Sequence, residues 1–445
     1  MARGRRFLYV VALVLASVPS LGLLSGPARA ADDPATSYQW GLDAIRARGT
    51  RSVATGRGIL IAVLDTGVDF EHEDLKGKLL PGRNYVNRDL TAQDDNGHGT
   101  HVAGIAAAIM ANGKGVQGVA PDARILPVKV LDASGNGTSA NVASGIRFAA
   151  DSGAQIINVS LNSTGIVGTA FTDAVRYAWS RGALPVISAG NTALTGSGFS
   201  DEPCVVVGAT TRTDTKPDYA SAVGAAQWGI SAPGGAGADK DEDDVLSTYW
   251  PHTATVNGEA REFGRYAYLA GTSMAAPHVA GVAALLLELG LTPQQAVDRL
   301  LATARDIGSP GRDSTFGAGI VDAAKAVSGL KPTATTTTAA PAPTTTAPGG
   351  PPTTSAPTTM ARGQGGATTV TAAAPAQPPD SAPPTESTTT TAPTASTIAL
   401  NDLERPDDPG GGLPWAAVAV AMLVVGGVGG ALGWRWWQDR RPAGS

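Results

Sequence analysis

Apolar and polar positions switch between two periods from residue 36 to about residue 330. Gly58-Ile59-Leu60-Ile61-Ala62-Val63-Leu64 is an unbroken apolar run of strand length, the pattern of a strand covered on both faces. His101–Met110 has the spacing of a helix, and the alternation then repeats. Ala123–Leu131 is strand-like, Ala140–Ala150 helical, Gln155–Ser160 a strand, Ala170–Arg181 helical and Leu184–Ser188 a strand. Cys204-Val205-Val206-Val207 is again strand-like, and Val282–Leu289 is apolar except for Glu288. Strands alternating with helices imply right-handed crossovers and a mostly parallel sheet between two helical layers, an α/β architecture. A domain of this size buries a core without needing disulfides.

Two other apolar runs lie outside this alternation. Arg3, Arg5 and Arg6 precede Phe7–Leu24, and Pro27-Ala28-Arg29-Ala30-Ala31 follows. A basic start, an apolar middle and an Ala-x-Ala site describe a signal peptide cut after Ala30. An uncut signal anchor is the other reading, and both carry the bulk of the chain out of the cytoplasm. Leu413–Trp434 is 22 residues without a charge, about 33 Å as a helix against a hydrocarbon core of about 30 Å. Trp434, Trp436 and Trp437 suit the membrane interface, and Arg435, Arg440 and Arg441 mark the cytoplasmic side.

Between the alternating region and this span, residues 331–398 contain no Phe, Trp or Tyr and four charged residues, Lys331, Arg362, Asp380 and Glu386. Thr, Pro and Ala dominate, so the segment lacks the apolar bulk to offset its ordering entropy. The expected organisation is a signal peptide at 1–30, an N-terminal arm at 31–57 and the folded domain at 58–330. A disordered Thr/Pro/Ala-rich linker at 331–412, a transmembrane helix at 413–434 and a basic tail at 435–445 follow. The folded domain would then be extracellular and the C-terminus cytoplasmic, on a single-pass membrane protein. A net charge of −5 argues against nucleic acid as a partner, and one Cys excludes an intramolecular disulfide.

Three segments carry candidate chemistry. Ala62-Val63-Leu64-Asp65-Thr66-Gly67 puts a carboxylate at the C-terminal end of a buried strand, the sheet edge where sites form. Asp95-Asn96-Gly97-His98-Gly99-Thr100-His101-Val102-Ala103-Gly104 brings a His into an apolar helix. Gly271-Thr272-Ser273-Met274-Ala275-Ala276-Pro277-His278-Val279-Ala280-Gly281 sets a Ser hydroxyl at a helix start. Each alone has an ordinary structural reading: a turn, a core histidine, an N-cap.

Together, in the order Asp, His, Ser, these segments resemble the subtilisin-like serine proteases (subtilases, peptidase family S8). The resemblance covers about residues 36–330 and implies a subtilisin-like three-layer fold. It implies that Ser273 is the nucleophile, that His98 is the general base and acid, and that Asp65 holds the His98 tautomer. Ser188-Ala189-Gly190-Asn191 matches the oxyanion-hole motif, with the Asn191 amide and the Ser273 N–H as donors. Gly135-Asn136-Gly137 and Ser160-Leu161-Asn162 match the two rims of a cleft where a polypeptide adds as a strand. Asn162 stands where Gly is usual, so small residues are expected before the scissile bond. His101 and His278 are read as structural packing or capping residues.

No cofactor is expected for catalysis. The acidic run Asp239–Asp244 is a candidate for structural calcium, with a solvated insertion as the other reading. The overall layout resembles mycosins, the membrane-anchored subtilases of type VII secretion, and implies secretion-complex subunits as partners. A rival of another class is a membrane-anchored scaffold of such a complex in which protease activity is dispensable.

Overall fold

The computed structural model describes residues 33–87, 90–161, 168–193, 199–237, 241–256, 259–331 and 396–398. The expected signal peptide, the span Leu413–Trp434, nearly all of the linker, and Asn162 lie outside these residues. Among the described residues, no helix is long and apolar enough to cross a membrane.

Seven strands form the central sheet: β1 Leu60–Asp65, β2 Arg83–Asn84, β3 Arg124–Lys129, β4 Ile156–Val159, β5 Leu184–Ser188, β6 Val205–Thr210 and β7 Gly229–Pro233. Their order is β2-β3-β1-β4-β5-β6-β7 and every pairing is parallel. The strands of the sheet centre are mostly apolar because both faces are covered; Asp65, Asn158 and Ser188 are buried polar residues of β1, β4 and β5. Ile61 and Val63 point into one core, and Ala62 and Leu64 into the other, as the period of two requires.

Among the described residues, seven α-helices accompany the sheet: α1 Trp40–Ala44, α2 His98–Ala107, α3 Ser139–Asp151, α4 Thr169–Ser180, α5 Thr272–Glu288, α6 Pro293–Thr303 and α7 Ala323–Val327. The first core packs α2 and α5 against one face, and the second packs α3 and α4 against the other. A peripheral set of strands contains β8 Val245–Thr248, β9 His252–Val256, β10 Glu259–Phe263, β11 Tyr266–Leu269 and β12 Ser396–Ile398. Here β11 pairs antiparallel with β8 and β12, while β9 and β10 form a hairpin. The N-terminal arm closes over the α5 side, where the Glu288 carboxylate accepts from the backbone N–H groups of Thr55 and Gly56.

One helix is shifted from its sequence expectation. The spacing predicts a helix over His101–Met110, whereas α2 runs from His98 to Ala107. It starts earlier because Gly97 takes φ 108°, turning the chain into the helix, and the Asp94 carboxylate accepts N–H groups there. It ends earlier because Ala108 adopts extended backbone. Carboxylates from elsewhere in the fold then take the next N–H groups: Asp33 those of Ala111 and Gly113, and Asp74 that of Val116.

Candidate active site

Asp65 ends β1, where the parallel strands finish and the loops of the sheet edge begin. It is fully buried. Its Oδ1 accepts from the Thr66 N–H at 2.7 Å and from Nδ1 of His98 at 2.7 Å. Since a carboxylate oxygen accepts, Nδ1 carries the proton and Nε2 is left to take one. The close approach needs Gly99, for a Cβ there would sit 2.1 Å from the Gly67 carbonyl oxygen. At Gly97 a Cβ would lie 2.4 Å from the Tyr249 ring, and φ 108° adds strain for any other residue.

The His98 side chain is 13% exposed. Burial pulls its pKa down, but the charge of Asp65, its hydrogen bond and the charge of Asp94 outweigh this, and the net direction is up. The imidazolium is thus favoured at the ring nearest the carboxylate. His101 and His278 behave oppositely. Burial pushes them down to about 3 and about 4. His101 donates from Nε2 toward the carbonyls of Val245 and Ala267, each at 3.0 Å, and His278 from Nδ1 to that of Met274 at 2.8 Å. Both serve packing.

Ser273 is the second residue of α5, 5% exposed. Pro277 lies inside this helix, so the carbonyl of Ser273, four residues earlier, has no helical N–H to accept from. It accepts instead from the Ser160 hydroxyl at 2.9 Å. The Ser273 hydroxyl is 3.4 Å from the Ser160 carbonyl and forms no hydrogen bond to His98 in this structure. Ser160 therefore ties the end of β4 to the start of α5, and its hydroxyl also accepts from Asn158 at 2.9 Å.

Asn191 follows β5, and its orientation is set by its neighbour. Oδ1 accepts from both the N–H and the hydroxyl of Thr272, at 2.9 and 2.8 Å. The Thr272 hydroxyl in turn accepts from the Gly190 N–H at 3.1 Å. With Oδ1 occupied twice, Nδ2 is the donating end, 3.2 Å from where a Cβ on Gly271 would be. The Ser273 N–H, in the first turn of α5, lies beside it without an intrahelical acceptor.

The other expected residues sit along the same edge. Gly135, Asn136 and Gly137 form a turn after β3, where the Asn136 carbonyl accepts from the Asp132 N–H and Gly137 bridges antiparallel to Leu131. The Asn96 side chain donates to the Ala133 carbonyl at 2.9 Å, tying this turn to the segment before His98. Ser160 and Leu161 are buried.

In the acidic run, Asp241–Asp243 form a single helical turn and Asp244 is buried, its Oδ1 accepting from the Gly237 N–H at 2.8 Å. Asp239 and Lys240 lie outside the described residues. Among the described residues no group of three or more His, Cys, Asp or Glu is arranged to hold a metal ion. Cys204 is a free, buried thiol whose pKa is raised by burial.

Two residues of this corner have no place in the sequence expectation. Asp94 accepts at both oxygens beneath the start of α2. Lys129, 3% exposed, donates to Asp95 and to the carbonyls of Thr66 and Leu131. The sequence signal for Lys129 was a charge ending an apolar strand, and for Asp94 the doubled acid before Asn-Gly.

Residues 56–319 match the subtilase family. The chain is 39% identical over 294 residues to thermitase from Thermoactinomyces vulgaris, covering 66% of this chain and 96% of thermitase. It is 38% identical over 304 residues to subtilisin Savinase from Lederbergia lenta, covering 66% and 99% of the two chains. Among solved structures, a protease of Pseudoalteromonas arctica superimposes with a TM-score of 0.58 at 32% identity, covering 67% of this chain and 99% of that one. Fervidolysin from Fervidobacterium pennivorans gives 0.54 at 32% identity, covering 68% and 48%. With an all-parallel sheet, an Asp–His contact at its edge and these likenesses over the whole folded domain, the chain belongs to the subtilase family of serine endopeptidases.

Proposed function

We propose that this chain is a membrane-anchored, extracytoplasmic endopeptidase in which Ser273 attacks the peptide carbonyl while His98 takes its proton at Nε2. The contact of His98 Nδ1 with Asp65, at 2.7 Å, carries the reading. It fixes the tautomer that leaves Nε2 basic, and the Asp65 charge stabilises the imidazolium formed in the attack. His98 then returns the proton to the leaving amine, and water repeats the sequence on the acyl-enzyme. Asn191 Nδ2 and the Ser273 N–H donate to the oxyanion as it forms. Thr272 holds the Asn191 amide in place beforehand, so little reorganisation is needed at that moment. No step calls for a metal; any calcium would be structural.

The substrate is a polypeptide, laid between Gly135-Asn136-Gly137 and Ser160-Leu161-Asn162. A side chain at Asn162 supports a preference for small residues before the scissile bond, and efficient cleavage after Phe or Arg in a peptide library would reject this. The signal-like start, the Thr/Pro-rich linker and the apolar run Leu413–Trp434 support a catalytic domain held outside the membrane, processing secreted or cell-wall proteins. The same layout supports a place beside mycosins in type VII secretion.

Labelling with a fluorophosphonate tests the chemistry. Wild type is expected to label, and Ser273→Ala to lose labelling and about 10⁶-fold of its peptide hydrolysis, a scale carried over from subtilisin. Unlabelled but folded wild type would reject it in favour of the scaffold. Full complementation of a deletion strain by Ser273→Ala would show that the cellular role does not need catalysis.

A further inference from the structure

Asp94 is 1% exposed and lies three residues before the turn into α2 at Gly97. Every hydrogen bond it makes from its side chain is as an acceptor. Its Oδ1 takes the Thr66 hydroxyl at 2.8 Å and the N–H groups of Asn96 and Gly97, each at 3.0 Å. Its Oδ2 takes the Thr100 N–H at 2.9 Å and the Thr100 hydroxyl. Thr66 is the residue after Asp65, and Gly97 is the residue before His98. The Thr66 hydroxyl also accepts from the Gly99 N–H at 3.0 Å.

These bonds close a ring. It runs from Asp65 along the chain to Thr66, through its hydroxyl to Asp94, through the Gly97 N–H to His98, and through Nδ1 back to Asp65. We propose that Asp94 is the positioning residue of the catalytic pair, one carboxylate that fixes the backbone of His98 against the backbone that carries Asp65. This inference rests on the roles given above to Ser273, His98 and Asp65.

Charge matters here as well as geometry. An amide at position 94 would turn an NH₂ toward either the Thr100 donors or those of Asn96 and Gly97, so it cannot replace the carboxylate at both ends. Asp94 is also the second negative charge acting on His98 after Asp65. The other charged or titratable groups around Asp94 include Tyr249, whose hydroxyl donates to the Asn96 carbonyl at 3.1 Å and whose pKa is raised by burial and by the charge of Asp94, so it stays neutral. Lys129 is paired with Asp95, Asp69 lies across the Thr100 hydroxyl through its N–H, and His101, pushed down to about 3, is neutral over the working range.

The test measures, for the full chain, the rate of fluorophosphonate labelling of Ser273 across pH, together with kcat and KM on a fluorogenic peptide. Asp94→Asn is expected to label about tenfold to a hundredfold more slowly. The loss should fall in kcat with KM held, and the acid limb should move to lower pH because a negative charge near the imidazolium has gone. Thr66→Val removes the bridging hydroxyl and keeps the charge. It should slow labelling and leave the acid limb in place. A folded Asp94→Asn with wild-type rate and acid limb, whatever its thermal stability, overturns the proposal. If Asp94→Asn does not fold, Thr66→Val decides, and an unchanged rate overturns the proposal. Wild type that fails to label at Ser273 overturns the underlying catalytic reading instead, so the two failures are distinct.

Discussion

The two faces of the sheet are built by different rules. On one face α3 and α4 are amphipathic. Val142, Ala143, Ile146, Ala149 and Ala150 are buried on α3, as are Phe171, Ala174, Val175 and Ala178 on α4, with polar residues turned to solvent. On the other face α2 is buried from Gly99 to Ala107 and α5 from Thr272 to Leu286. Neither has a polar face, because the sheet lies on one side and the arm, β8, β11 and α6 close over the rest. The proposed catalytic residues His98 and Ser273 are at the starts of these two enclosed helices. A helix held on all sides cannot rotate or slide without opening the core, so it carries His98 and Ser273 at fixed positions. The amphipathic helices cover the sheet and are free of that demand.

The largest effect expected from the enclosed face is chemical. Asp65→Asn should lower kcat about 10⁴-fold, a scale again carried over from subtilisin. It should also move the acid limb of the pH–rate profile to lower pH. The sign follows from His98 having to be neutral to act. Asp65 raises its pKa, so removing that charge leaves burial to lower it. An acid limb unmoved in Asp65→Asn would show that another group titrates. Asn191→Ala should cost about 10²–10³ in kcat with little change in KM, and an equal rise in KM would mean that the amide binds substrate rather than the oxyanion.

The remaining two predictions contrast the faces by stability. Leu285→Ala, at a fully buried position of α5, should destabilise by about 2–5 kcal/mol in denaturant titration. Arg176→Ala on α4 should change stability by no more than about 0.5 kcal/mol, since its pairs with Asp173 and Glu202 leave it 54% exposed. Equal losses at the two sites would erase the distinction between enclosed and covering helices.

Much of the candidate site was legible because its residues come in short contiguous segments. The Asp65 turn, the His98 helix start, the Ser273 helix start and Ser188–Asn191 each read as a unit, and the fold brings Asp65 against His98 and Asn191 against Thr272. The apolar runs of β1, β3, β4 and β5 were legible for the same reason. The start of α2 was not, because it depends on a carboxylate outside the helix and on a glycine at positive φ. Nor was β7, Gly229–Pro233, which opens with Gly and ends with Pro and is a strand because β6 supplies its partner. The β9–β10 hairpin and α6 also fall outside the patterns read from the sequence.

The sequence alone determined the layering of strands and helices, the order of Asp, His and Ser, and the change of character after Lys331, because each is written in neighbouring residues. The tertiary structure decided which contacts hold the candidate site together. A Pro inside α5 frees the Ser273 carbonyl for Ser160, Thr272 occupies the Asn191 oxygen and so fixes the orientation of its NH₂, and Asp94 joins the Asp65 turn to His98. Each of these is a hydrogen bond between segments far apart in the chain, and such a partner has no signature in the local pattern of either one.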